Sequence, residues 1–344
     1  MTRMRTVLAG TVVALGGVLP AWADGVLNIL NYPDYLPPAL TEKFEKDTGI
    51  QLVLTPIDSN ETLLAKLQTG TAGYDAAVAT DYMVDILRKE GLIQEAGIKD
   101  LAHFGNLLPM FHSAYYDPDN GFALPYQYGS TSIMVDAAVL PDAPSSLSLI
   151  FEPPAEAVGR INVHRDMHDV SNAALRYLDY PRCNSNPEQL RAVNDLLMQI
   201  KPTIRSVNSA GTVDLLASGD VVVSQIWSGA GLRARRERES LQYIYTEEGY
   251  TGWVDSLVMV SGAENSENVR IFMDWLLLPE NSAALTNHAG YGSPVNGAAE
   301  FLSDELRNSP ETNPPEGSVA PEFVPNCSPE VIALYDRIWT NFLK

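Results

Sequence analysis

The sequence predicts an α/β protein of two lobes, each a mainly parallel sheet flanked by helices. Three observations carry this expectation. Strand-like and helix-like segments alternate along the chain, the order that parallel sheets require. Hydrophobic residues make up 45% of the 344 positions, ample for sizeable cores. At ~150 residues per domain, a chain of this length divides into two.

The first elements follow in order. "VLNILNY" (26–32) is strand-like. "PPALTEKFEKDTG" (37–49) follows as a helix, with Pro at its start, Glu42 four places before Lys46 and Gly49 as its stop. "IQLVLTPI" (50–57) is the second strand. "DSNETLLAKLQTG" (58–70) opens on a capping-box pattern from Asp58 to Glu61 and closes on Gly70. "YDAAVA" (74–79) is the third strand and "DYMVDILRKEG" the next helix. Ligands of such sheets bind beyond the carboxyl ends of the strands, here Tyr32 with its successors and Thr80 to Tyr82.

A second region of the same kind runs from about Ser130 to Tyr250. It holds "GRINVHRDMHD", helices around 170–178 and 187–200, and the apolar strand "DVVVSQIW" (220–227). The strand "WVDSLVMV" (253–260) and the amphipathic helix "SENVRIFMDWLLL" (266–278) resume the first pattern. A Pro/Gly/Asn-rich loop at 308–320 precedes a terminal helix at 329–344.

The N-terminus carries Arg3 and Arg5, an apolar run from Val7 to Leu19 and then "AWA" at Ala21–Ala23. That is the pattern of a secretory signal peptide over residues 1–23, cleaved after Ala23. The run is shorter than the roughly 20 apolar residues that span a bilayer. Export places Cys183 and Cys327, the two cysteines of the chain, in an oxidising compartment, where an isolated pair is expected to be a disulfide. The net charge of −20, with "RARRERE" (233–239) as the one basic stretch, excludes nucleic acid as a partner and favours cationic ligands.

Catalytic signatures are scarce. No nucleophile elbow, P-loop or dinucleotide fingerprint follows a strand, so no enzymatic activity is expected. "HRDMHD" sets His164 and His168 four apart with Asp166 and Asp169 between and after them, yet a metal needs three or four converging ligands. Tyr115 and Tyr116 suit packing better than iron. What recurs instead is a pairing of aromatics with carboxylates at strand ends: Tyr32, Asp34 and Tyr35; Tyr82; Asp166 and Asp169; Trp227; Trp253 and Asp255; Tyr291. Asp255 stands two places after Trp253, on the same strand face. A carboxylate on so apolar a strand, "YTGWVDSLVMV", is costly unless something positive meets it. Aromatic faces attract cations and carboxylates accept from ammonium groups, so a linear polyamine satisfies both.

At these residues the sequence resembles the periplasmic spermidine/putrescine-binding proteins of polyamine ABC importers. The pieces that carry the resemblance are "LNILNYPDYLPP", "DSNETLLAKLQTGTAGYDAAVATDYMVDIL", "FALPYQYGSTSI", "SGDVVVSQIWSG", "GWVDSLVM" and "NHAGYGSPVNGAA". The resemblance implies a two-lobed periplasmic binding protein with its ligand in the interlobe cleft. Lobe 1 would comprise 24–127 plus 256–296, and lobe 2 would comprise 128–255 plus 297–344. The chain would cross near Tyr126–Ser130, around Asp255 and near Asn296.

By position, Tyr32, Tyr35, Tyr82, Trp227, Trp253 and Tyr291 would form an aromatic box, and Thr80 would offer a hydroxyl to a terminal amine. Asp166 and Asp169 would bind one amine and Asp255 another; Asp34 stands with Tyr32 and Tyr35 at the first strand end. Three departures stand out: Tyr32 replaces a Trp, Pro33 a hydroxyl residue, and Ala230 an aspartate of diamine-specific relatives. The last favours a spermidine-like ligand over putrescine. No cofactor is expected, and the partners would be the polyamine and an inner-membrane ABC permease, with the protein a monomer. The alternatives are another organic amine on the same fold, or a metal or ferric-iron carrier built on "HRDMHD" and the tyrosines.

Overall fold

The computed structural model describes residues 25–33, 35–323 and 325–344. The expected signal peptide and Asp34 lie outside the described residues. The first alternation is β1 (Gly25–Asn31), α1 (Pro38–Thr48), β2 (Ile50–Pro56), α2 (Asn60–Thr69), β3 (Ala76–Thr80) and α3 (Asp81–Lys89). Helix α1 ends at Gly49, whose left-handed φ of 79° lets its N–H turn back to Glu45 O. Helix α2 starts one residue later than expected. Ser59, not Asp58, caps it by accepting from Thr62 N at 3.1 Å, while Asp58 takes the Thr62 hydroxyl at 2.6 Å.

The chain continues through β4 (Ile93–Gln94), β5 (Ala123–Asp136), α4 (Ser148–Phe151), β6 (Ile161–Val163), α5 (Met167–Tyr177), α6 (Pro187–Ile200) and β7 (Ile204–Val207). Next come α7 (Thr212–Ser218), β8 (Val223–Trp227), α8 (Ser228–Glu237), β9 (Leu241–Ile244) and β10 (Thr251–Val260). The last elements are α9 (Ser266–Leu276), α10 (Pro279–Ala289), α11 (Asp304–Arg307), β11 (Glu322–Phe323) and α12 (Pro329–Leu343).

The strands form one sheet in the order β2-β1-β3-β10-β5-β8-β6-β7. Its two ends are parallel triplets, β1 with β2 and β3 as the alternation predicts, and β6 with β8 and with β7, a strand absent from the sequence-based expectation. Between them β10 runs antiparallel to both β3 and β5, and β5 antiparallel to β8. Two long strands make the sheet continuous. At 14 residues β5 extends ~45 Å, far beyond an ordinary strand. Its first half packs Leu124 and Tyr126 into one core, and its second half Ile133 and Val135 into another.

The first core is drawn from residues 27–126 and 254–298, the second from 133–223 and 327–342, with a smaller cluster under α8. Asn296 N donates to Asn106 O and Ala298 still packs in the first core. The chain meets α8 at Glu305 and Glu311, which pair with Arg236 and Arg235, both at 2.7 Å. Cys183 and Cys327 are bonded, with Cα atoms 5.2 Å apart, beside α12 in the second core. Among the described residues no helix is long and apolar enough to cross a membrane.

Candidate ligand-binding site

Register, more than any local motif, assembles the site. In an antiparallel pair, residues directly opposite share a face. Asp255 on β10 stands opposite Thr80 on β3 and opposite Gln127 on β5, just before a bulge at Asp255/Ser256. Asp255 is buried, and each of its oxygens accepts one hydroxyl: Thr80 Oγ1 donates to Oδ1 at 2.7 Å, and Tyr35 OH donates to Oδ2 at 2.6 Å. Thr80 is itself held by Asn60, whose Nδ2 donates to its Oγ1 at 2.9 Å and whose Oδ1 accepts its N–H at 3.2 Å.

These bonds orient the carboxylate without neutralising it. Asp255 forms no ion pair with Lys, Arg or His among the described residues. Burial pushes its pKa up to about 6, against the lowering pull of the Tyr35 and Thr80 hydroxyls. The cation that the apolar strand calls for is not supplied by these side chains.

Aromatic rings surround this carboxylate. Tyr35 lies 5.2 Å from Tyr32 and 5.7 Å, edge-on, from Tyr291. Tyr291 meets Trp253 edge-on at 5.0 Å, and the Arg233 guanidinium sits 5.9 Å above the Tyr291 ring. The indole of Trp253 lies across Gly129, the residue opposite it on β5; a Cβ there would come within 2.5 Å of its Cζ2. Tyr126, which sequence reasoning left out, stacks on Tyr35 at 6.3 Å.

The second group of acids sits where β6 gives way to α5. Asp166 caps α5, accepting from Asp169 N at 2.9 Å, and burial and then the neighbouring Asp169 raise its pKa. Asp169 Oδ2 is bonded to His164 Nδ1 at 2.7 Å, and the His164 ring packs 4.7 Å from Trp227. His164 is thus a buried support for both Asp169 and Trp227, a role its place in "HRDMHD" did not disclose. His168 lies 5.4 Å from Tyr82. That contact joins α5, from the second core, to α3, from the first.

The structure therefore gathers Tyr32, Tyr35, Thr80, Trp253, Asp255 and Tyr291 into one linked cluster. It sets Asp166, Asp169 and Trp227 in a second, with Tyr82 reaching toward it. Thr80, expected to face an amine, spends its proton on Asp255 and retains one accepting lone pair. Among the described residues no three His, Cys, Asp or Glu side chains are placed to hold a metal. The residues missed from sequence, Asn60, Tyr126 and Gln127, act through pairings between distant segments, and His164, weighed as a metal ligand, instead supports Asp169 five places on.

This arrangement can bind a cation at a rigid carboxylate while aromatic faces line its chain. A model of bacterial extracellular solute-binding proteins matches residues 39–314. The chain is 33% identical over 308 residues to the spermidine/putrescine-binding periplasmic protein of Escherichia coli, covering 88% of each. It is 30% identical over 360 residues to a putrescine-binding periplasmic protein of Pseudomonas aeruginosa, covering 99% of this chain and 97% of that one. Its fold matches the spermidine/putrescine ABC transporter substrate-binding protein of Streptococcus pneumoniae with a TM-score of 0.82 at 25% identity, over 93% and 99% of the two chains. The chain belongs to the bacterial extracellular solute-binding proteins, in the family that includes the spermidine/putrescine-binding periplasmic proteins.

Proposed function

We propose that this protein is a periplasmic, monomeric receptor, exported with cleavage after Ala23, that captures a polyamine and delivers it to an ABC permease. The two cores are its lobes, and it closes around its ligand as hinge-closing receptors do. The observation that carries the reading is Asp255: a buried carboxylate, oriented by two hydroxyls, ringed by Tyr35, Tyr291 and Trp253, and without an ion-pair partner among the described residues. An ammonium group completes it. The site performs no chemistry on its guest; holding and releasing it is the whole function.

Asp166 and Asp169 take an amine at the far end, with Tyr82 and Trp227 beside them. Ala230, buried on α8, offers no carboxylate within reach of Trp227, so a short diamine finds fewer partners than spermidine does. Titration calorimetry with spermidine and putrescine tests the reading. One-to-one binding, tighter for spermidine, supports it. Absence of binding to either removes the polyamine assignment, and equal or tighter binding of putrescine removes the preference.

A further inference from the structure

On the sheet face that carries Asp255, Gln127 is fully buried and neither its Oε1 nor its Nε2 has a hydrogen-bond partner. Folding strips water from both atoms and returns nothing, a cost that proteins almost always avoid. An apolar side chain of the same length would fill the space without it.

The position of Gln127 supplies a reason. It stands directly opposite Asp255, with Thr80 on the other side, so Thr80, Asp255 and Gln127 form a row across β3, β10 and β5. Side chains paired in this way have Cβ atoms about 5 Å apart. Two residues along the same face lies Trp253, opposite Gly129, and its buried Nε1 is also unpartnered. Two residues further, Thr131 stands opposite Thr251 and Trp227, with its Oγ1 likewise unpartnered. Unmet polar atoms thus recur at 127, 253 and 131 on one face, beginning beside the ligand carboxylate.

We infer that Gln127 is a specificity-determining residue that reads a second nitrogen of the ligand. Its Oε1 accepts an N–H from the nitrogen next to the ammonium gripped by Asp255. Its Nε2 turns toward Asp255, whose oxygens keep accepting capacity beyond the Tyr35 and Thr80 hydroxyls. The short spacing between the paired side chains suits nitrogens separated by a three- or four-carbon spacer. Gln127 therefore selects amines with an internal nitrogen over plain diamines of equal length. The inference rests on the polyamine reading of this cleft.

The test compares spermidine with 1,8-diaminooctane, which has the same chain length and a methylene in place of the internal nitrogen. Calorimetry on the full-length mature protein and on Gln127→Met gives the affinity ratio for the two ligands. The parent should prefer spermidine, and Gln127→Met should lower that preference about tenfold, since a hydrogen bond to a charged group is lost for one ligand only. Gln127→Glu, read in parallel, should raise the preference by adding charge beside the internal amine. A ratio unchanged in both variants overturns the inference while leaving polyamine binding intact. A parent that binds neither ligand overturns both.

Discussion

The two acid clusters hold their carboxylates in different ways. Asp255 lies in the middle of a continuous sheet, fixed by hydroxyls from the loop after β1 and the end of β3. Asp166 sits at the first turn of α5, fixed by one backbone N–H, with Asp169 tied to a histidine behind it. Burial raises both pKa values, and at Asp166 the neighbouring Asp169 raises it further. A sheet-held anchor is preorganised and keeps the ordering cost of binding low, whereas a helix-start pair can adjust to the length of what arrives. On the proposed reading, one cluster grips and the other measures.

Removing the grip should have the largest effect. Asp255→Asn leaves an ammonium buried without its counter-charge, a loss of about 2–5 kcal/mol of affinity. The empty protein should respond in the opposite sense. An acid whose folded pKa of about 6 exceeds the unfolded value binds more protons folded than unfolded between those values, so its contribution to stability falls as pH rises through that window. At pH 7 the ionised Asp255 is a cost of roughly 2–3 kcal/mol on this basis. The asparagine variant should therefore melt no lower than the parent without ligand, yet bind far more weakly. A variant that melts well below the parent would make Asp255 a structural residue and dissolve the contrast.

Asp166→Asn should cost less, about 1–2 kcal/mol, because Asp169 remains nearby and the amide oxygen still caps α5. The loss should fall on spermidine more than on putrescine, whose short chain leaves the second cluster poorly filled. Calorimetry with both ligands checks this. Equal losses would mean that the helix-start acids do not measure length.

How much of this contrast was legible beforehand follows from its physical origin. The first parallel triplet was visible because each strand, turn and helix leaves a local pattern, whereas β7 of the second, four residues and half-buried, left none. Trp253 with Asp255 was visible because strand side chains alternate. The long central strand was not. "FALPYQYGSTSI" supplied a motif without disclosing that one strand serves both cores, and the single sheet depends on that length. Gln127 had no distinguishing mark within that motif until register set it against Asp255. His164 looked like a loop residue until Asp169, five places on, folded back onto it. Pairings across strands and around a strand-to-helix corner have no period to detect.

The smallest effect expected is at Thr80, and it separates orientation from charge. Thr80→Val keeps the shape and removes one hydroxyl from Asp255 Oδ1, leaving the Tyr35 bond in place. The charge survives, so the affinity loss should be about 1 kcal/mol, the worth of one hydrogen bond. A second readout identifies its cause. The Thr80 hydroxyl stabilises the ionised carboxylate, so its removal raises the Asp255 pKa further. Binding requires the ionised form, and the parent's affinity should therefore fall as pH drops through about 6. In Thr80→Val that fall should begin at higher pH. A variant weakened equally at every pH would show that Thr80 meets the ligand directly, through its remaining lone pair, rather than by setting the carboxylate.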